Sequence, residues 1–111
     1  MSTHYRLILC TCPDGDSAAR LARGLVTRHL AACVNLVPGL TSIYAWKGNI
    51  ETDQEVLLLI KSRSDRFEAI QAFIRAHHPY ELPEIVAVPF EEGSPGYLAW
   101  LGDWLDASDR I

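Results

Sequence analysis

The chain lacks most of the motifs that announce a common chemistry. It has no glycine-rich phosphate loop, no H-E-x-x-H pair and no nucleophile elbow, so phosphoryl transfer, zinc proteolysis and serine hydrolysis find no signature and no enzyme activity is expected. It also lacks a basic run. Ten lysines and arginines lie scattered among fourteen acids, for a net charge of −4, whereas nucleic-acid binding calls for a basic face. No apolar run reaches the ~18 residues that cross a bilayer. The opening "MSTHYRLILCTC" has no signal-peptide layout, so the reading is cytoplasmic, with neither membrane nor nucleic acid as partner. Three cysteines are few and odd in number, which fits free thiols in a reducing compartment better than a disulfide framework.

What is present suffices for one core. The 111 residues are 49% hydrophobic, and the size fits a single domain over 1–111. "YRLILCTC" is apolar and rich in strand formers, and Pro13-Asp14-Gly15 stops it, so a strand and a turn are predicted. A helix follows, capped by Asp16 or Ser17, with Ala18, Leu21, Ala22, Leu25, Val26 and Leu30 at helical spacing. From Cys33 to Arg63 the pattern is a long hairpin with Lys47-Gly48 at its tip and a bulge or bend at Pro38-Gly39. A second helix begins at Ser64 or Asp65, its face holding Phe67, Ile70, Ile74 and His77. Pro79 forces His78 out of the α region and ends it. "EIVAVPF" is a fourth strand starting at Glu84. Ser94 then caps, and Pro95 opens, a last helix bearing Tyr97, Leu98, Trp100, Leu101, Trp104 and Leu105.

The resulting order is βαββαβ plus a C-terminal helix, an α+β ferredoxin-like sandwich. Right-handed connections set the first and fourth strands side by side and the third between the first and second. The ends of the first strand and second helix then meet at one rim. Hairpin strands of about fourteen residues span roughly 46 Å at about 3.3 Å per residue. A domain of this length is only about 34 Å across. The hairpin must overhang, exposing Tyr44 and Trp46, which share a ribbon face. The run "VLLLI" from Val56 to Ile60 is apolar on both sheet faces, although the βαβ helices cover only one. Either the C-terminal helix covers the other face or further copies of the chain do. Two features together favour an oligomer, with Tyr44 and Trp46 at its interface.

The rim carries the chemistry. Cys10 and Cys12 are two apart on a strand and face one way, as a soft-metal clamp or as two small core residues. Cys33 reads as packing. His77 and His78 are either ligands or the end of a helix. On a regular helix they sit about 100° apart and cannot clamp one ion, and only the break at Pro79 relieves this. Glu51, Asp53, Glu55, Tyr80 and Glu84 are candidates to complete a coordination shell. Lys61, Tyr80 and Glu84, with His78, form an alternative set that suits a small anion or metabolite.

The blocks "CTCPD", "LAACVNLVPGLTSIYAWKG", "EVLLLIKSR", "HPYELPEI" and "YLAWL", in order from about Leu7 to Leu101, resemble the CutA divalent-cation tolerance family. The resemblance implies a cytoplasmic homotrimer built like the PII signalling proteins, binding copper and other divalent ions. The family's copper ligands fall on Cys10, His77 and His78, and all three residue types are present. The alternative function is a PII-like scaffold or signalling module with a small ligand between subunits and incidental metal binding.

Overall fold

The computed structural model describes residues 4–107. Four strands form one antiparallel sheet in the order β2-β3-β1-β4, with β1 at Tyr5–Cys12, β2 at Cys33–Trp46, β3 at Asn49–Arg63 and β4 at Val86–Pro89. Helices α1 (Gly15–Thr27) and α2 (Phe67–His77) connect them, and α3 (Pro95–Ala107) follows β4. This is the ferredoxin-like sandwich with its long hairpin and added helix.

Alternation along the strands divides the sheet into two apolar faces. Ile8, Cys10 and Cys12 of β1 and Val56, Leu58 and Ile60 of β3 point inward, where they meet Ala18, Leu21 and Leu25 of α1 and Ile70 and Ile74 of α2. The register pairs Leu7 with Val88 and Leu9 with Val86, and it sets Val37 opposite Leu57, so these residues share the outer face. Neither α1 nor α2 packs there. Helix α3 closes one end of the sheet: Tyr5 Oη donates to Leu98 O at 2.8 Å, Arg63 Nη2 pairs with Asp106 Oδ1 at 2.7 Å, and Trp104 Nε1 donates to Val26 O at 2.9 Å. It leaves Val37, Val86 and Val88 at 37%, 49% and 43% exposure, so it does not cover the outer face.

Local chemistry moves several boundaries from where the sequence pattern put them. Asp14, rather than Asp16 or Ser17, caps α1: its carboxylate accepts from Ser17 N at 2.8 Å, the three-residue reach of an N-cap. Ser64–Arg66 is one turn of 3-10 helix, and α2 proper starts at Phe67. Strand β4 begins at Val86 and not at Glu84. Continued by two residues, its register would set Thr11 opposite Glu84, but the Thr11 carbonyl is taken by the His78 ring at 2.7 Å.

The hairpin turns at Lys47 and Gly48, both at positive φ (51° and 83°), as a two-residue primed turn requires. The bulge lies between Val37 and Leu40, which pair with Leu57 and Glu55, and Gly39 sits at φ 82°. One extra residue flips the alternation, so Leu40, Ser42, Tyr44 and Trp46 lie on the outer face with Val37. A Cβ on Gly39 would meet nothing within 4 Å, so the cost of a side chain there is conformational. Gly39→Val is therefore expected to destabilise by about 1–2 kcal/mol, read as a lower urea midpoint at unchanged slope. An unchanged midpoint would contradict the bulge.

The described residues extend 46 × 29 × 22 Å. The long axis matches the reach of the hairpin, and Ile43 and Ile50 near its tip are 71% and 75% exposed.

Candidate functional site

Strand β1 ends with its two thiols on the inner face, both fully buried. Helix α2 ends one residue before His78, whose amide still donates to Ile74 O at 2.8 Å while its backbone turns extended (φ −83°, ψ 141°). This is the conformation Pro79 imposes on its predecessor. The turn sends the ring inward to the end of β1. His78 is 8% exposed, with Nε2 lying 2.7 Å from Thr11 O and 3.6 Å from Cys12 Sγ. Nδ1 accepts from Tyr80 N at 3.0 Å, which assigns the proton of the neutral ring to Nε2. The donor atoms of Cys10, Cys12 and His78 all lie within 4.8 Å of one another.

The structure thus unites Cys10 with His78, adds Cys12, and directs His77 elsewhere. The His77 ring is exposed, stacks on Phe73 with centroids 4.2 Å apart, and has Nδ1 2.9 Å from the Phe73 carbonyl one turn back. Its place at helical spacing with Ile70 and Ile74 did not bring it into the core, because α2 stops there and the ring folds back along its own helix.

Electrostatics separate the two thiols. The hydrogen bond with Cys12, followed by burial, holds the Cys10 thiol far above its ordinary range, and the charges of Glu84 and Glu55 push it the same way. The Cys12 thiol is lowered, chiefly by that same hydrogen bond, so Cys12 loses its proton first. The carboxylates that disfavour a second thiolate favour a cation beside it.

On the outer side of the same rim lies an open groove of about 800 Å³ lined by Thr11, Tyr44, Trp46, Glu55, Tyr80 and Glu84, among others. Glu55 is only 7% exposed and accepts from Tyr80 Oη at 2.6 Å. Burial, then this bond, raises the Tyr80 phenol well above its usual range, so it stays a neutral donor. Tyr44 donates to Asp53, and the Lys47 ammonium stands 5.4 Å from the centre of the Trp46 ring. Tyr80 and Glu84 share this groove, whereas Lys61 does not. It pairs with Leu7 and Cys33 at the other end of β3, where Nζ donates to Asn35 Oδ1 and approaches Cys33 Sγ at 3.9 Å. Six residues of strand, about 20 Å, separate it from Glu55.

The profile of the CutA1 divalent ion tolerance protein family matches residues 6–103. A CutA homolog of Xenopus laevis is 54% identical over 93 residues, which are 84% of this chain and 62% of that protein. The divalent-cation tolerance protein CutA of Thermus thermophilus is 50% identical over 86% of this chain and 92% of its own length. Among solved structures, CutA from Xylella fastidiosa superposes with a TM-score of 0.89 at 46% identity, covering 92% of this chain and 98% of that one.

Proposed function

Because the chain belongs to the CutA1 divalent ion tolerance family, we propose that it binds divalent metal ions, copper among them, at the end of β1, with Cys10 and His78 as ligands. One observation carries the reading: two thiols and an imidazole, all buried, converge within 4.8 Å. The donor chemistry fits, since sulfur and imidazole nitrogen are the ligands of borderline and soft ions. A metal on Nε2 would take the place of the bond to the Thr11 carbonyl, and the proton would pass to Nδ1. Binding and the present strap from His78 to Tyr80 are therefore alternatives. The thiol protons must also leave, so uptake releases acid.

Calorimetric titration of protein without a histidine tag tests this. Cu²⁺ is expected to bind more tightly than Zn²⁺, Ni²⁺ and Co²⁺. Cys10→Ser and His78→Ala are expected to lose at least about 100-fold, more than the loss of an outer-shell group. Wild-type affinity in both variants would place the site elsewhere.

The outer face supports a homotrimer of the PII kind, with the hairpin as its clasp: Leu7, Leu9, Val37, Leu57, Leu59, Val86 and Val88 share it, and Val37, Val86 and Val88 stand exposed. Tyr44 and Trp46 are proposed contacts of that interface. Buried free thiols suit a reducing, cytoplasmic setting. Among the described residues no helix is long and apolar enough to cross a membrane. The groove favours a second reading, in which a small ligand is held at Tyr80 and Glu84 between subunits and metal binding is incidental.

A further inference from the structure

We infer that Cys12 takes the third ligand position at this site in place of His77, making it a two-thiolate, one-imidazole centre for a thiophilic ion. The inference rests on the metal-binding reading and fixes its donor set. Cys12 Sγ lies 3.6 Å from His78 Nε2 and belongs with it and Cys10 to a group of donors within 4.8 Å of one another, while His77 Nδ1 is engaged with the Phe73 carbonyl on the exposed side of α2. The strand itself dictates this. Residues i and i+2 of β1 present their side chains on one face, so Cys10 and Cys12 reach one ion without distortion. Adjacent residues at a helix end point apart, and Pro79 turns only His78 inward.

The donor set determines what is bound. Two thiolates and an imidazole select zinc and copper over magnesium, calcium and manganese, which take oxygen. The ion replaces two thiol protons, which leave to solvent. A divalent ion then closes a neutral complex, whereas a monovalent one leaves a net negative charge near Glu55 and Glu84. Charge therefore favours the divalent ion where softness admits both. Three protein ligands leave one coordination position open.

Cobalt(II) reports the donors by absorption, because each thiolate adds charge-transfer intensity in the near ultraviolet. In reduced, untagged protein, Cys12→Ala and Cys10→Ser are each expected to halve that band and, like His78→Ala, to weaken binding at least about 100-fold. His77→Ala should leave both unchanged, with circular dichroism confirming the fold of each variant. X-ray absorption at the zinc edge of the wild-type protein should count two sulfur neighbours, a readout that needs no variant. One sulfur, or a full band in Cys12→Ala alongside a loss in His77→Ala, overturns the role of Cys12 while leaving Cys10 and His78 as ligands. Unchanged binding in Cys10→Ser, Cys12→Ala and His78→Ala together overturns the metal site itself.

Discussion

Val88→Asp is expected to break the proposed trimer into monomers and to lower the melting temperature by several degrees or more. Within one protomer Val88 is 43% exposed on β4, and a carboxylate there would touch water. A surface change of that kind costs within about 0.5 kcal/mol. In a trimer whose subunits cover the outer face, the same carboxylate is buried beside Leu7, its partner across the strand pair, and against a neighbour. An unpaired buried charge costs about 3–5 kcal/mol. The two arrangements thus differ by several kcal/mol for one substitution, and folding and association are linked. Sedimentation velocity and thermal unfolding at matched concentration read both effects. A Val88→Asp protein that stays assembled at the wild-type melting temperature would place the interface on another surface.

The second large effect separates two adjacent histidines. His78→Ala is expected to destabilise the metal-free protein by about 2–4 kcal/mol, because the ring is buried and its loss leaves the Thr11 carbonyl and the Tyr80 amide without their partners. His77→Ala removes an exposed ring stacked on Phe73 and should cost under about 1 kcal/mol. Urea unfolding with a chelator present isolates the structural contribution from any metal linkage. Equal costs would mean that His78 is not the buried member of the pair.

Much of this arrangement was legible in the sequence, for reasons that are local. Apolar, strand-forming runs bounded by turn residues marked the strands, Lys47-Gly48 and Pro38-Gly39 marked the turn and the bulge, and right-handed connection rules ordered the sheet. The sequence before Pro79 also stated where α2 must stop, and the structure finds His78 extended there. The less legible parts depend on side-chain direction in three dimensions. His77 has helical spacing with Ile70 and Ile74, but at the last turn nothing constrains the ring to follow that face, and Phe73 offers both a carbonyl and a stacking surface. Lys61 lies six residues along β3 from Glu55 and the rim, and only the explicit pairing with Leu7 shows this. The shortness of β4 follows from a side chain competing for a backbone carbonyl, which no strand pattern records. The pairing of Cys12 with Cys10 was visible as alternation, yet alternation alone serves a packed core and a metal clamp equally well. The approach of His78 Nε2 to Cys12 is what favours the clamp in the proposed reading.

The most direct test is anomalous diffraction from crystals of untagged protein grown with zinc and measured on both sides of the zinc absorption edge. The proposed site predicts an anomalous peak between the sulfurs of Cys10 and Cys12 and Nε2 of His78, with the ring moved off the Thr11 carbonyl. Peaks confined to surface carboxylates such as Glu51 and Asp53, with His78 still bonded to Thr11, would contradict it.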